Sequence, residues 1–401
     1  MSEIFRPSIA EIDLSAVQAN FLVLRGFVDP AAFFCPMIKA NAYGHGDREV
    51  ANALRIAGAR HLGVALIEEG IKLRKNGDRE DLLVFGVFSD EVSAQAMIDH
   101  ELTTVLSDWS QLDALEKVAL KSTLKKAKPK VHLKFNTGMN RLGFAIEEAP
   151  RLRERFANHS SLELEGVCTH LLRGDDAGVA QGDSQSQFVQ FAKVMSAFRG
   201  LKVHAHALNS GGTVGVWKRA LSQEGLRKEE VGPLGARPGI SIYGVQAAAD
   251  PALAVDLKPV MSLKSRIVLT KKVAKGDVVS YGATWRADRP SLIGVIPFGY
   301  ADGWARALSN KGSVLCRGQR VPIAGIVCMD YFMVDLTDVA DLKAPVQNGE
   351  EVVLIGEQKG QRILAEDVAQ MTGTIAYEVL TRVSDRVPRR FIGASYEGAA
   401  R

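Results

Sequence analysis

The feature that most constrains the fold is a regular alternation of short apolar runs and segments of helical period between about residues 33 and 244. Eight of these runs are apolar on both faces, which is typical of strands in a parallel sheet covered by helices. The strand candidates are residues 33–39, 62–67, 82–88, 102–107, 131–136, 163–171, 203–210 and 234–244. The alternation predicts a (β/α)8 TIM-type barrel. An open doubly wound sheet would need a glycine-rich dinucleotide turn after its first strand, and GxGxxG is absent there.

After residue 250 the pattern changes to alternating apolar and polar residues separated by glycine-rich turns, which is typical of a mostly-β domain. A segment of helical period, LAEDVAQMTGTIAYEVLTRV, follows at residues 364–383. The stretch VQAAADPALAV interrupts the pattern between the two regions. We therefore predict a barrel domain over residues 1–245 and a β-rich domain over residues 246–401.

Composition argues against several classes of protein. Lysine and arginine number 50 against 46 acidic residues, and the one short basic patch, residues 121–130, is typical of the solvated end of a helix, so nucleic acid is not an expected partner. The N-terminus lacks a signal pattern and no apolar run reaches the length of a membrane span, which predicts a soluble, cytoplasmic protein. The four cysteines stand singly in apolar segments, which predicts buried thiols and neither disulfides nor a metal site.

Polar residues stand at the C-terminal ends of the predicted barrel strands, where barrels of this kind place their active sites. They are Lys39, Asn136, His170, Asn209, Ser210 and Arg237. A lysine at the end of the first strand can pair with a phosphate, or it can be desolvated to a neutral amine that forms a Schiff base. The second role requires a phosphate cradle, which NSGGT (209–213) and RPGISIYG (237–244) offer through small residues near predicted helix starts. The combination predicts pyridoxal phosphate.

The motifs that carry this chemistry resemble those of the alanine racemase family. The resemblance begins with CPMIKANAYGHG around Lys39 and continues, in order along both domains, with KFNTGMNRLGF, GVCTHL, LNSGG, RPGISIYG, VVSYGATW, PFGYADGW, CMDYFMVD and GTIAYEVLTRVSDRVPR. It implies a pyridoxal 5′-phosphate-dependent enzyme that interconverts L-alanine and D-alanine. It also implies a head-to-tail homodimer with shared active sites and the same division into a barrel and a mostly-β domain.

The resemblance also implies two acid/base groups on opposite faces of an external aldimine. Lys39 matches the cofactor-binding lysine that serves one face, and Tyr281 matches the tyrosine that reaches the other face from the partner subunit. His170 matches the donor that favours the tyrosine phenolate, and Arg237 matches the residue facing the pyridine nitrogen. Taken without the resemblance, Tyr281 can be an aromatic residue on a half-buried strand and Arg237 a surface arginine before a Pro-Gly turn.

Further site residues are assigned by matching positions in the family motifs. The cofactor-binding set, beyond the residues already named, is Tyr43, Asn209, Ser210, Gly239, Ile240 and Tyr377. The substrate-binding set is Arg141, Tyr300, Met329 and Asp330, while Lys134 matches a lysine that is often carbamylated. The chain departs from the family pattern at Asn136, where aspartate is usual, and at Ile326, Tyr331 and Ala376. The first departure makes the surroundings of Lys134 less negative and leaves its carbamylation open.

Several alternatives stay open. A pyridoxal-phosphate carrier with a similar barrel would lack the β domain that holds Tyr281 and the CMD motif. A decarboxylase of the same fold would need a cysteine or acidic substrate motif that the matching β segment lacks, and a racemase for serine or a larger amino acid differs only in pocket width. His204 and His206 can share a strand face as a metal pair, but without nearby carboxylates or cysteines we expect structural histidines. The product D-alanine can serve peptidoglycan synthesis or the enzyme can serve D-alanine breakdown.

Overall fold

The computed structural model describes residues 5–121, 128–158, 161–172, 174, 183–216, 232–247, 251–339 and 345–393. Most of the predicted basic patch, residues 122–127, lies outside these ranges, as do residues 248–250 of the predicted domain boundary. The chain forms two compact units. The barrel unit comprises Val17–Ala42 and Asp47–Lys258, and the β unit comprises Met1–Ala16, Tyr43–Gly46 and Pro259–Arg401.

The barrel unit is built on a parallel sheet whose strands lie side by side in sequence order. After strand β1 (Ile9–Asp13) and helix α1 (Leu14–Arg25), the sheet strands are β2 (His61–Val64), β3 (Asp81–Val84), β4 (Thr103–Leu106), β5 (Lys130–Lys134), β6 (Glu163–Cys168), β7 (His204–Leu208) and β8 (Gly235–Ala236). The accompanying helices are α2 (Asp47–Ile56), α3 (Ile67–Lys75), α4 (Glu91–Asp99), α5 (Trp109–Lys121), α6 (Ala149–Asn158) and α7 (Asp183–Ala197). Apolar residues dominate the strands because both faces of the sheet are buried.

The first predicted barrel strand closes the sheet without forming a regular strand. Phe34 makes a parallel bridge to Ala236 in β8, and Met37 makes one to Gly63 in β2. Pro36 lies between them and has no N–H to donate, which explains why the pairing is reduced to isolated bridges. The segment therefore joins the two edges of the seven-stranded sheet, and the predicted barrel is confirmed.

The β unit has the predicted mostly-β texture. Its strands are β9 (Met261–Arg266), β10 (Leu269–Val273), β11 (Val278–Val279), β12 (Trp285–Arg286), β13 (Ser291–Ile296), β14 (Ser313–Cys316), β15 (Gln319–Pro322), β16 (Phe332–Asp335), β17 (Glu351–Gln358), β18 (Gln361–Ile363) and β19 (Arg389–Ile392). The largest sheet has the order β15-β14-β17-β9-β1-β19, with β18 paired to β17. Strand β1 thus pairs with β9 and β19, at the start and the end of this unit. The predicted domain boundary at residue 245 stays a prediction.

The predicted helical segment near the C-terminus is divided in two. Helix α8 (Ala365–Thr372) ends at Gly373, and helix α9 (Ala376–Thr381) follows three residues later. Gly373 has a φ of 67°, a left-handed conformation that glycine adopts easily and that commonly ends helices. Among the residues that the structure describes, no helix is long and apolar enough to cross a membrane.

The cysteines lie where their apolar neighbours predict. Cys35, Cys168 and Cys316 are buried, and Cys328 is partly buried. Burial raises the pKa of the Cys35 thiol to about 12, so that residue behaves as a small apolar side chain. All four thiols are free.

Candidate active site

Lys39 opens a turn whose backbone is left-handed. The four residues that follow it, 40–43, all have φ between 52° and 55° although none is glycine. Such a conformation costs an L-residue roughly 1–2 kcal/mol, so surrounding contacts must impose it. One of these contacts joins the Ala40 N–H to the Glu69 carboxylate, with an N–O distance of 2.6 Å. The strain is therefore localised in the four residues directly after Lys39, the predicted cofactor attachment.

The environment of Lys39 favours its neutral amine. The side chain is half-buried, and burial lowers its pKa below the usual range for lysine. The positive charge of Arg141 lowers this pKa further, while Glu69 acts in the opposite direction. A deprotonated amine is the form that reacts with carbonyl groups and that can accept a proton.

The pKa of Lys134, at the end of β5, is lowered like that of Lys39. Lys134 is only 6% exposed, and burial lowers the pKa of its amine to about 8. Cys168 opposes this shift, whereas the positive charges of Arg237, Arg141 and Lys39 add to it. Several positively charged groups therefore converge at this end of the barrel.

The loop after β5 carries Arg141 and is organised by Asn136. The Asn136 side-chain oxygen accepts hydrogen bonds from the N–H groups of Gly138 at 3.2 Å and Asn140 at 2.9 Å. Its amide nitrogen donates to the Asn140 side-chain oxygen at 2.8 Å. An aspartate could accept the first two bonds but could not donate the third. The asparagine that replaces the usual aspartate at this position therefore makes one additional hydrogen bond, to the side chain of Asn140.

Arg237 is buried directly after β8, so its alternative interpretation as a surface arginine is wrong. Its Nη1 donates to His206 Nδ1 at 2.7 Å, and its Nη2 donates to the Thr169 carbonyl at 2.6 Å and to His170 Nδ1 at 3.2 Å. Within the described part of the chain, its Nε–H makes no hydrogen bond. These bonds use three of the five N–H donors of the guanidinium, so the group is fixed in place while its Nε–H and one Nη1–H remain available.

The histidines around Arg237 are neutral. An arginine can only donate, so the Nδ1 atoms of His170 and His206 must both act as acceptors. Burial, followed by the charge of Arg237, holds the pKa of each well below the usual value for histidine. His170 consequently carries its proton on Nε2 and can donate it in a hydrogen bond.

A polar cradle lies where the sequence predicts phosphate binding. The buried Ser210 Oγ accepts hydrogen bonds from the N–H groups of Gly239 at 2.9 Å and Ser241 at 3.4 Å. These bonds use the oxygen of the hydroxyl and leave its proton free to be donated. The Ile240 N–H has no hydrogen-bond partner among the residues that the structure describes. Two donors, one hydroxyl and one amide, are therefore available here.

Asn209 shapes this cradle. Its side-chain oxygen accepts from the Gly212 N–H at 2.9 Å, and its carbonyl accepts from the Thr213 N–H at 2.9 Å. A Cβ on Gly174 would lie 2.0 Å from the same side-chain oxygen, so a side chain at that position would displace it. The geometry gives Asn209 the role of holding the turn that carries Ser210.

In the β unit, Tyr281 lies on a tight turn and is 74% exposed. Its alternative interpretation as an aromatic residue on a half-buried strand is therefore wrong. Ser280 precedes it with a φ of 70° and donates through Oγ to the Ile326 carbonyl at 2.7 Å. The turn is thus pinned to the segment before the CMD motif while the phenol extends from the surface.

The CMD motif forms a second tight turn in the β unit. The Cys328 N–H donates to the Tyr331 carbonyl at 2.8 Å, and the Tyr300 N–H donates to the Cys328 carbonyl at 3.0 Å. The N–H groups of Met329 and Asp330 have no hydrogen-bond partner in the described ranges. Two adjacent free amides are suited to binding an anion such as a carboxylate.

The two remaining tyrosines of the cofactor-binding set lie together in the β unit. The ring centroids of Tyr43 and Tyr377 are 6.1 Å apart, with an angle of 52° between the ring planes. Tyr43 is buried, whereas Tyr377 is 39% exposed. The ring of Tyr377 therefore has one side packed against Tyr43 and another accessible.

Two polar residues of the barrel strands, one buried and one partly buried, were missed by sequence reasoning. His132 in β5 and Glu165 in β6 extend the contacts of His206, whose Nε2 lies 2.7 Å from His132 Nδ1, while His132 Nε2 lies 3.3 Å from the Glu165 carboxylate. The available signal was a polar residue in each of two apolar barrel strands. In the described ranges, no group of three or more His, Cys, Asp or Glu side chains could hold a metal ion.

Comparison with known proteins agrees with this architecture. The family model "Alanine racemase, N-terminal domain" matches residues 12–247, and "Alanine racemase, C-terminal domain" matches residues 260–391. The alanine racemase of Halothermothrix orenii is 36% identical over 391 residues, covering 97% of each chain.

Solved structures show the same relationship. The Bacillus anthracis alanine racemase with bound L-Ala-P is 31% identical, with a TM-score of 0.82 and coverage of 98% of this chain and 97% of the other. The Bartonella henselae alanine racemase with covalently bound pyridoxal phosphate is 30% identical, with a TM-score of 0.81 and coverage of 96% of this chain and 99% of the other.

Proposed function

The chain belongs to the alanine racemase family, whose members depend on pyridoxal 5′-phosphate, and we propose that it interconverts L-alanine and D-alanine by a two-base mechanism. Lys39 serves one face of the substrate, and Tyr281 of the partner subunit serves the other. The observation that carries this proposal is the convergence of two positive groups on His170 and Lys134 at the end of the barrel strands, namely the half-buried Lys39 of lowered pKa and the buried, hydrogen-bonded Arg237.

The residues present fit the cofactor. Arg237 has a buried Nε–H to offer to the pyridine nitrogen, and its guanidinium holds no proton that it can transfer. The Ser210 hydroxyl and the Ile240 N–H are suited to the phosphate, with Gly239 acting through its hydrogen bond to Ser210. Tyr43, Asn209 and Tyr377 complete the set. When bound, pyridoxal phosphate supplies the electron withdrawal that acidifies the substrate Cα–H.

The two bases are supported by their surroundings. The lowered pKa of Lys39 favours an amine that can accept the Cα proton of one enantiomer and donate a proton to the other. Tyr281 needs a phenolate to act in the same way, and the Nε2–H of His170 is a donor that would stabilise it. Arg237 would not protonate the pyridine nitrogen, which limits the electron withdrawal to what racemisation requires.

A head-to-tail homodimer follows from the same proposal. The β-rich domain, residues 246–401, would contribute Tyr281 to the site of the partner subunit. Large side chains are exposed on and beside the two tight turns of the β unit, namely those of Tyr281, Tyr300, Met329 and Tyr331. Clustered exposed apolar groups are typical of surfaces that bind another protein or a ligand.

Alanine would be held through its carboxylate. Arg141 offers a guanidinium, and Met329 and Asp330 offer two free N–H groups, with Tyr300 beside them. We also propose that Lys134 reacts with carbon dioxide, because its pKa of about 8 leaves a substantial neutral fraction near neutral pH. A carbamate there would place a negative charge among the positive groups that surround it.

Time-resolved chiral analysis with a panel of L-amino acids tests the proposal. We expect racemisation of alanine, and loss of visible cofactor absorbance and activity in Lys39→Ala. Tyr281→Phe should impair proton abstraction from one enantiomer more than from the other, while Tyr331→Phe serves as an exposed tyrosine control from the same unit. A wild-type protein that stays colourless and inactive with added cofactor would contradict the function. Small, equal effects of Tyr281→Phe in both directions would contradict the second base.

The same assay separates the remaining alternatives. A cofactor carrier would bind pyridoxal phosphate without racemising any substrate, but the match of the β-rich half to the family model favours an enzyme. Preferential racemisation of serine would identify a wider pocket, and release of carbon dioxide would identify a decarboxylase. A racemase is reversible, so we propose that it can supply D-alanine for peptidoglycan and can equally feed D-alanine breakdown.

A further inference from the structure

We propose that a hydrogen-bonded chain, running from Arg237 through the buried His206 and His132 to the partly buried Glu165, positions the Arg237 guanidinium from inside the barrel. The chain fixes both histidines as neutral Nε2–H tautomers. Glu165, His132 and His206 are thus positioning residues that act through Arg237. The effect on catalysis rests on the proposed function, whereas the tautomers can be measured independently of it.

The chain crosses three neighbouring strands. Arg237 Nη1 lies 2.7 Å from His206 Nδ1, His206 Nε2 lies 2.7 Å from His132 Nδ1, and His132 Nε2 lies 3.3 Å from Glu165 Oε2. Both histidine residues are 0% exposed. Each ring uses both of its nitrogens, so neither leaves an unsatisfied buried polar atom.

The donor and the acceptor of every hydrogen bond in the chain follow from the chemistry of Arg237, at one end of it. Arginine has no acceptor, so His206 Nδ1 must accept and its proton must lie on Nε2. That proton can be donated only to His132, whose Nδ1 must therefore be an acceptor. His132 then carries its own proton on Nε2 and donates it to Glu165. Arg237 thus determines that every hydrogen bond in the chain is donated in the direction from Arg237 towards Glu165.

A charged histidine in the chain would break it. If His132 were an imidazolium, its Nδ1–H would face the Nε2–H of His206, and two donors would meet at 2.7 Å. Burial lowers the pKa of His132 and holds that of His206 well below the usual value, in agreement with two neutral rings. Other groups near the chain are His61 and His204, whose positive forms would oppose charge on these rings further.

The far end of the chain is a permanent acceptor. Lys130 Nζ lies 2.9 Å from Glu165 Oε1, so the two carboxylate oxygens have different partners. Burial alone would raise the pKa of Glu165, but the hydrogen bonds from His132 and Lys130 lower it to about 2. The carboxylate is therefore ionised near neutral pH.

The packing leaves little freedom for the rings to rotate. A Cβ on Gly166 would lie 2.2 Å from His132 Nδ1, which shows how closely the β6 backbone approaches this ring. The Phe33 ring packs against both histidines, with centroid distances of 5.2 Å to His132 and 4.5 Å to His206. The tautomers can therefore change by proton rearrangement, whereas large ring movements are blocked.

Loss of the Glu165 carboxylate, the last acceptor of the chain, would change the position of Arg237 at the other end. Without Glu165, the His132 Nε2–H would be buried without a partner, which favours moving the proton to Nδ1. The His206 proton would then move to its own Nδ1, directly opposite the Arg237 donor. Two donors would face each other, and the guanidinium would have to shift away from the position that the cofactor requires.

The direct test is nitrogen-15 NMR of the histidine side chains in the wild-type holoenzyme. We expect His132 and His206 to carry their protons on Nε2 at neutral pH. An Nδ1–H tautomer or an imidazolium at either residue would overturn the proposal. This measurement does not depend on the reaction that the enzyme catalyses.

The functional test uses variants that differ only in the acceptor. Lys130→Met removes the second partner of Glu165 and leaves the chain intact, so it serves as the parent. In that background Glu165→Gln retains a carbonyl for His132, whereas Glu165→Met retains the size and removes the acceptor. We expect the Met variant, and not the Gln variant, to lose about tenfold in kcat with a smaller change in KM and to shift the visible absorbance of the bound cofactor.

His204→Phe is the matched control within the barrel. Its ring also packs against Phe33, at a centroid distance of 5.3 Å, but it has no place in the chain, so kcat and the visible absorbance should be retained. Equal kcat, absorbance and tautomers in the Gln and Met variants would overturn the proposal. If the Met variant fails to fold, the wild-type tautomers decide. Correct tautomers in a protein without racemase activity would refute the proposed function but not the chain.

Discussion

Replacing Lys134 by methionine is expected to stabilise the protein near neutral pH, although it removes a residue from the proposed site. Burial is the main cause that lowers the pKa of Lys134 from 10.5 to about 8. At about 1.4 kcal/mol per pKa unit, this shift corresponds to roughly 3 kcal/mol lost when the charged amine is buried. Methionine has a similar length and no charge, so it should recover a large part of that free energy.

The pH dependence identifies the cause. Below about pH 8 the amine is charged in both the folded and the unfolded states, and the folded state bears the full cost of burying it. Between about pH 8 and the unfolded pKa of 10.5, the folded state releases the proton while the unfolded state keeps it. The wild type should therefore gain stability relative to Lys134→Met as the pH rises through this window.

Urea unfolding at fixed protein and cofactor concentrations, in buffers free of carbon dioxide, measures this difference from about pH 7 to about pH 10. Lys130→Met is the control from the same strand. Burial lowers the pKa of Lys130, but Glu165 and Asp81 more than offset this and raise it, so the lysine stabilises the folded state throughout the same range. An advantage of Lys134→Met that stays constant from about pH 7 to about pH 10 would refute the reasoning.

Three further outcomes follow from the structure. Ala40→Gly should raise the free energy of unfolding by up to about 1 kcal/mol, because glycine adopts the left-handed conformation at φ 52° without strain. Part of this gain is offset because glycine also raises the conformational entropy of the unfolded chain. A lower melting temperature would contradict this expectation. Asp302→Asn should cost about 2 kcal/mol in urea unfolding, because the buried carboxylate accepts a hydrogen bond from Arg6 at 2.8 Å; an unchanged midpoint would contradict this. Gly299→Ala should raise the KM for alanine, because its Cβ would lie 2.1 Å from the Met329 carbonyl and displace the CMD turn; an unchanged KM would separate that turn from substrate binding.

The barrel could be predicted because its signal is local. Each buried strand is a short apolar run, and eight of them in sequence order leave few alternatives. Strand β1 could not be placed in the same way. The burial of its residues alternates, but its partners, β9 and β19, come from the distant C-terminal region. Strand pairing between such distant segments depends on the tertiary fold, so the local sequence does not identify the partner strands.

The backbone after Lys39 shows a second limit. Alanine is the best former of right-handed helix, so residues 40–43 give no local indication of a left-handed turn. The turn exists because contacts from elsewhere in the chain, such as the Glu69 carboxylate on the Ala40 N–H, fix it. Sequence reasoning could identify the lysine and the need for a turn, but it could not determine the conformation.

Arg237 shows why burial of a charged residue is difficult to infer from sequence. A guanidinium before a Pro-Gly turn is ordinarily solvated, and it can be buried only if several acceptors surround it. Here the acceptors are His206 in β7 and Thr169 and His170 after β6, and each comes from a different position in the chain. No single motif contains all three, because Thr169 and His170 follow the end of β6, whereas His206 lies in the middle of β7.

The interior of the barrel therefore has a second function beyond packing. An apolar layer at the level of His132 and His206 would be less costly to bury, but it could not determine the orientation of Arg237. A chain of neutral donors and acceptors can do so, because its two ends are chemically unequal: the arginine can only donate and the ionised Glu165 can only accept. With both ends fixed, only one arrangement of protons satisfies every buried nitrogen. In the proposed chain, the position of the Arg237 guanidinium is then determined by the Glu165 carboxylate near the start of β6, a residue outside the proposed site.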